Sequence, residues 1–242
     1  MKKTSMVANS AAEGYGVTMQ PHLTLVAAPA VSGAYQRGAL AKRAFDIVAA
    51  GLGLVILSPL LLLVYLGVRL SSRGPAIYTQ RRVGLGGRCF NFFKFRTMVH
   101  RSDDSIHRAY SERLINGWNA RHESRAFKMT DDPRITPIGR FLRKCSLDEL
   151  PQLFNVLRGD MSLVGPRPPI EYEVEYYHEW HKQRLQAKPG ISGLWQVSGR
   201  SQVPFDEMVM LDIHYMENWS FLLDLKILLR TIPVVIFGVG GY

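Results

Sequence analysis

The chain has 242 residues, of which 47% are hydrophobic and 21% charged, values that exclude a disordered polypeptide and a polytopic membrane protein. Two cysteines, Cys89 and Cys145, exclude a disulfide scaffold and a cysteine-based zinc cluster. The net charge is +10, and nearly all of it falls in residues 41–101, which carry ten basic side chains and one acidic one.

Residues 1–40 are rich in Ala, Ser, Gly and Pro and show no periodic pattern, which predicts a disordered N-terminal tail. The short apolar stretch Leu23–Ala28 lies too far from Lys2 and Lys3, and too close to Pro29, to read as a cleaved signal. Residues 41–73 contain the most apolar run in the chain, between Arg43 and Arg69, with Asp46 as its sole charge. As one helix the run is long enough to span a bilayer core. Ser58-Pro59 interrupts it just past the middle, where proline removes a backbone hydrogen bond. Lys42 and Arg43 precede the run, and Arg69 and Arg73 follow it. Basic flanks favour the cytoplasmic side. Two readings result: a re-entrant helix–break–helix hairpin that dips into one leaflet, or a straight span. Basic residues around an apolar run point to membrane lipids as a partner. Residues 102–242 are slightly acidic, so no nucleic-acid partner is expected.

Residues 74–242 read as one folded domain on the cytoplasmic side, of class α/β: mostly α with a small β-hairpin. AIYTQRRVG and CFNFFKFRTM are strand-like and flank the glycine turn Gly84–Gly87. Residues 102–128 predict a helix with a loose connection. Apolar spacing from Ile138 to Leu157 predicts short helices broken at Ser146 and Pro151, with Ser146 capping a helix whose first turn holds Asp148 and Glu149. Residues 170–187 predict a surface helix. Two apolar-striped helices follow at 205–218 and 220–237, the last suited to lying on a membrane surface.

Three sets of residues carry candidate chemistry. Asp148 and Glu149 are adjacent, so on a helix they point about 100° apart and do not form a facing dyad. They suit a division of labour, one as nucleophile and the other as metal ligand or base. The plainer alternative is complementation of a helix dipole. Arg81, Arg82, Lys94 and Arg96 form a basic set, with Lys94 and Arg96 on one strand face fit for a diphosphate. The alternatives are a solvated strand face or lipid headgroup contact. Gly165-Pro166-Arg167-Pro168-Pro169 presents Arg167 on a stiff loop, as a phosphate ligand or in a plain rigid turn. His178, His181 and His214 lack ligand spacing and read as structural. Cys145 lacks a partner base.

These motifs, in the order KRAFDIVAA…SPLLLLV, GPAIYTQRRVGLGGRCFNFFKFRTM, DDPRITPIGRFLRKCSLDELPQLFNVLRGDMSLVGPRP, KPGISGLWQVSGR and LLDLKILLRT, resemble the bacterial sugar transferases from about Lys42 to Thr231. These are the monotopic polyprenyl-phosphate sugar-1-phosphate transferases. The chain is most similar to the short, exopolysaccharide-initiating members that move galactose-1-phosphate or glucose-1-phosphate, without the N-terminal multi-helix region of larger ones. The resemblance implies transfer of a sugar-1-phosphate from a UDP-sugar to undecaprenyl phosphate, with release of UMP, at the bacterial inner membrane. An N-acetylated sugar, or a non-catalytic scaffold of polysaccharide assembly, is the alternative. By position, the resemblance makes Asp148 the nucleophile of a phosphosugar-enzyme intermediate and Glu149 a ligand of Mg2+ beside it. It makes Arg82, Lys94 and Arg167 phosphate or substrate ligands, adds Asp224 to that set, and makes Ser58-Pro59 the break of a re-entrant hairpin. Val83 stands where some members have proline. Paired hairpins in one leaflet leave room for a homodimer.

Overall fold

The computed structural model of the protein describes residues 31–99, 105–116, 132, 134–198 and 203–236. The first helix, α1 (Gly33–Ile56), starts at Ser32, whose side-chain oxygen accepts the Tyr35 N–H at 3.1 Å. Residues 33–40, expected in the tail, therefore belong to this helix. Their small side chains look unstructured locally but serve packing. Gly38 lies so close to Trp219 that an added Cβ would meet the ring at 2.2 Å, and the Tyr35 ring meets Trp219 edge-on. Residues 1–30 of the expected tail lie outside the described residues.

Helix α2 (Ser58–Ser71) follows after one residue, and the α1–α2 pair is bent by 64°. Pro59 sits in the first turn of α2, where its missing N–H leaves no helical bond unmade. Leu57 N–H still donates to the Gly53 carbonyl at 2.9 Å, and the Ser58 hydroxyl donates to the Val55 carbonyl at 2.8 Å. Ser58-Pro59 thus redirects the chain without unravelling it. No single helix among the described residues is long and apolar enough to cross a membrane. The α1–α2 pair together has the length and composition of a membrane segment, and its 64° bend is that of a broken span or a re-entrant loop, not of one straight helix.

Strands β1 (Ile77–Val83) and β2 (Cys89–Phe95) pair antiparallel, with Tyr78 opposite Lys94 and Val83 opposite Cys89. Gly86 and Gly87 take positive φ at the turn, as the predicted hairpin requires. Helices α3 (Ser105–Ile115) and α4 (Pro137–Lys144) come next. The remainder of the helix and connection expected over 102–128 lies outside the described residues.

The chain then departs from expectation. Ser146 is left-handed at φ 52, its hydroxyl caps nothing, and Asp148 and Glu149 lie on a single 3-10 turn, Leu147–Glu149. Pro151 has no N–H to give Leu147, so only i to i+3 bonds form, Glu149 N–H to Ser146 O at 3.3 Å and Leu150 N–H to Leu147 O at 3.4 Å. Helix α5 (Gln152–Arg158) and strand β3 (Ser162–Val164) follow. Residues 170–187 are two 3-10 turns, Glu171–Tyr176 and His181–Gln186, in place of one surface helix. Tyr177, His181, Arg184 and Ala187 all turn inward. The fully buried His181 ring accepts the His178 N–H at 3.1 Å and meets Asp206 at 3.1 Å, and side-chain bonds of this kind compete with a helical ladder.

Strand β4 (Gly190–Ser192) pairs parallel with β3. Helices α6 (Leu194–Ser198), α7 (Phe205–Glu217) and α8 (Phe221–Ile236) complete the described chain. The largest core cluster gathers Leu194, Met208, Val209, Tyr215 and Ile227 from α6, α7 and α8. A second joins Ala50 of α1 to Phe92 of β2 and Val156 of α5. A third joins Val64 and Val68 of α2 to Phe95 and Leu142. Both bent helices are therefore packed on the rest of the chain by one face each.

Charged side chains fix α1 further. Lys42 donates to Asp224 at 2.5 Å, and Arg43 donates to the carbonyls of Val156 and Leu157 at 2.5 and 2.8 Å. Asp46 accepts the Ser162 hydroxyl at 3.1 Å and the Leu163 N–H at 3.0 Å. The opposite faces remain bare. Val48, Leu52, Val55, Leu62, Leu63 and Leu66 are exposed on α1 and α2, as are Leu222, Leu225, Leu229 and Ile232 on α8. Phe141 of α4 and Phe154 of α5 are exposed as well, and rows of exposed large apolar side chains on three helices mark candidate contact surfaces.

Candidate active site

A cavity of about 840 Å³ opens between the β1–β2 hairpin, the turn Leu147–Glu149, the Gly165–Pro169 loop and α3. Strand alternation sends Tyr78, Gln80 and Arg82 of β1, with Lys94 and then Arg96 of β2, into it. The left-handed Ser146 turns the chain so that Asp148 and Glu149 enter from the facing wall. A non-glycine residue at positive φ costs of order 1 kcal/mol or more, and it persists where surrounding packing imposes it. Here α5 is held by the fully buried Asn155. That side chain donates to the Asn91 carbonyl at 2.6 Å and accepts the Phe93 N–H at 3.0 Å. The bonds clamp α5 to the edge of β2, which brings the carboxylate turn opposite Lys94.

Arg167 arrives on a backbone that tolerates no side chain behind it. A Cβ on Gly165 would stand 2.3 Å from the Lys188 carbonyl, and one on Gly190 would stand 2.1 Å from the Gly165 nitrogen. Arg82 supports the same loop from the hairpin. Its Nη1 donates to the Pro168 carbonyl at 2.6 Å, its Nε and Nη2 donate to Gln80 Oε1, and its guanidinium lies over the Phe92 ring. Arg184, ion-paired with Asp212, donates to the Arg167 carbonyl at 3.4 Å from behind. Arg167 then reaches Glu149 Oε1 at 3.2 Å.

The electrostatics follow from crowding cations into a space shielded from water. Burial, with Arg167 close by, lowers the Arg82 guanidinium to about 10. Burial also lowers the Lys94 ammonium to about 8; Asp148 opposes the fall, while Arg143, Arg82 and Arg167 add to it. Asp148 is the largest of the charges that favour the cationic form of Arg143. An excess of cations around two carboxylates, with room between them, is an arrangement suited to a polyanion.

The structure thus brings together Arg82, Lys94, Asp148, Glu149 and Arg167. Asp224 is placed elsewhere. It does not line the cavity, and its oxygens accept from Lys42 at 2.5 Å, Tyr215 at 2.7 Å and Trp219 at 3.0 Å. Ser58 and Pro59 sit at the bend of α1 and α2. Sequence reasoning missed Asp132, Arg134 and Arg143, which also line the cavity. Arg143 Nε donates to Thr97 Oγ1 at 2.9 Å, and Arg134 pairs with Asp132, whose carboxyl it holds below the ordinary range. The available clue was the run DDPR, which sets an acidic side chain two residues from Arg134.

Asp148 and Glu149 offer two adjacent oxygen donors. Among the described residues no group of three His, Cys, Asp or Glu side chains could hold a metal ion. Mg2+ is commonly held by one or two carboxylates together with substrate phosphates, so this pair fits an ion shared with a diphosphate and does not by itself make a closed cage.

A family model described as bacterial sugar transferase matches residues 37–238. The exopolysaccharide production protein ExoY of Sinorhizobium fredii is 46% identical over 206 residues, covering 85% of this chain and 89% of that protein. The undecaprenyl-phosphate galactose phosphotransferase of Salmonella typhimurium is 49% identical over 202 residues, 83% of this chain and 41% of its own length. The UDP-glucose:undecaprenyl-phosphate glucose-1-phosphate transferase of Caulobacter vibrioides is 43% identical over 211 residues, 84% of this chain and 72% of its own length.

Proposed function

Because the chain belongs to the bacterial sugar transferase family, we propose that it transfers galactose-1-phosphate or glucose-1-phosphate from a UDP-sugar to undecaprenyl phosphate, the first membrane step of an exopolysaccharide. The observation that carries this reading is a single cavity holding Asp148 among Lys94, Arg143, Arg82 and Arg167.

The chemistry runs in two displacements. An Asp148 carboxylate oxygen attacks the phosphorus that bears the sugar, the phosphoanhydride bond breaks, and UMP leaves with the bonding electron pair. A phosphate oxygen of undecaprenyl phosphate then attacks the same phosphorus and releases the Asp148 carboxylate. Two anions that repel each other can so use one site in turn. Lys94, Arg82 and Arg167 would bind the phosphate oxygens and offset charge that builds on them in each transition state. Glu149, held by Arg167, would hold Mg2+ with Asp148. Mg2+ when bound polarises the phosphoryl oxygens.

The bare faces of α1, α2 and α8 suit insertion into one leaflet, with the catalytic part on the cytoplasmic side at headgroup height. The basic flanks Arg69 and Arg73 would add roughly 1 kcal/mol each near an anionic surface.

A panel of UDP-sugars, N-acetylated ones included, tested with undecaprenyl phosphate and read by UMP release, is the direct test. UDP-galactose or UDP-glucose is expected to give the highest kcat/KM. Labelled UMP is expected to exchange into UDP-sugar without any lipid acceptor. A protein that turns over yet shows no such exchange has no covalent route.

A further inference from the structure

Displacement at phosphorus places the entering and leaving oxygens on opposite sides. On the reading above, Asp148 enters opposite UMP in the first step and departs opposite the lipid phosphate in the second. UMP and the lipid phosphate must then occupy the same side in turn, while the hexose keeps its place through both steps. The cavity lining divides by exposure in a way that matches this asymmetry. The exposed Pro75, Tyr78, Thr79 and Val99 rim what we take as its open end. It adjoins the end of α2, where Arg96 donates to the carbonyls of Val68 and Ser72. The other end is closed by Ser111, Leu114, Tyr172, Trp195, Phe205 and Met208, all buried.

We propose that the closed end is the hexose subsite, and that His107, Ser111, Tyr172 and Glu173 read the sugar hydroxyls. These four side chains form one hydrogen-bonded wall. Tyr172 OH lies 2.6 Å from His107 Nδ1, Ser111 Oγ lies 3.3 Å from the same nitrogen, and Ser111 donates to Glu173 Oε1 at 3.3 Å. Ile170 N–H fixes the other Glu173 oxygen at 2.8 Å, and Arg108 stacks on the Tyr172 ring at 4.6 Å. Imidazole, hydroxyl, phenol and carboxylate together offer both donors and acceptors, which is what adjacent sugar hydroxyls require. Tyr172 and Trp195 add flat apolar faces for the C–H side of a ring. The open end, next to α2, is where nucleotide and lipid exchange.

Tyr172→Phe and Ser111→Ala test the assignment with undecaprenyl phosphate as acceptor. The ratio of kcat/KM for UDP-galactose over UDP-glucose is expected to change by about tenfold in at least one variant, because a site that bonds a hydroxyl discriminates by it. The inhibition constant of UMP is expected to stay within about twofold of the parent. An unchanged ratio, or UMP inhibition weakened as much as donor use, overturns the proposal. A measurement on the unsubstituted protein guards against misfolded variants. UDP-hexose should slow amide hydrogen exchange in Ser105–Ile115, and UMP should not; equal protection by UMP places the nucleotide at the closed end and overturns the proposal. If the parent released no UMP from any UDP-hexose in the presence of the lipid, the transfer reading would fail, while the exchange comparison would still judge the subsite.

Discussion

Two buried aspartates lie in contrasting surroundings. Asp224 and Asp148 are both below one-tenth exposed. Asp224 stands at the junction of α8 and α1, and its two oxygens take an ammonium, a phenol and an indole N–H. Those bonds offset the cost of burying the pair and fill the space around it. Asp148 stands on a one-turn helix at the wall of a cavity, where Lys94 and Arg143 act on it. The lesson is that motif likeness groups acidic residues which the fold then separates. One set holds the bent helix pair onto the catalytic part. The other has space before it for a phosphate.

That contrast can be broken most sharply at Asp148. Asp148→Asn is expected to lower UMP release by about 10³-fold or more, as loss of a nucleophile does, while the thermal unfolding midpoint stays near that of the parent. Asp224→Ala should behave in the opposite way. It strands Lys42 in a buried position, and removing one partner of a buried pair costs about 3–5 kcal/mol. Unfolding in detergent or nanodiscs would show this as a large fall in midpoint. The double change Lys42→Met with Asp224→Leu should recover most of it.

The two regions also differ in what a reader of the sequence can see. The β1–β2 hairpin, the break at Ser58-Pro59 and the helices α7 and α8 were legible because glycine turns, proline and apolar spacing act locally. The bare stripe Leu222, Leu225, Leu229 and Ile232 is an example. Asp148 and Glu149 were legible as an adjacent acidic pair in a short helical turn, but not the left-handed Ser146 that turns them toward the cavity, a conformation that depends on α5 and on Asn155, which ties α5 to β2 from across the fold. The start of α1 was hidden for a similar reason. Gly38 reads as a loop residue until Trp219, 181 positions later, lies against it. Tyr177 and His181 look like a surface helix until their rings meet Phe205.

A smaller effect tests the cationic side. Lys94 is lowered to about 8, so it is charged below that value and loses its proton as pH rises through it. If the charged form binds donor phosphates, kcat/KM should fall above pH 8 and reach about one-tenth of its plateau by pH 9. Lys94→Arg should remove this limb of the profile even where its maximum is lower. The smallest expected effect is at the strained turn. Ser146→Gly relieves positive φ and should raise stability by up to about 1 kcal/mol, seen as a modest rise in unfolding midpoint.

The most direct test of the difference between the two aspartates is intact-mass spectrometry of the protein mixed with its UDP-sugar and Mg2+ in the absence of lipid. The account predicts a species heavier by one hexose phosphate. That species should vanish on adding undecaprenyl phosphate, be absent in Asp148→Asn, and persist in any folded Asp224 variant. Only unmodified chain, from a preparation that turns over when lipid is supplied, would contradict it.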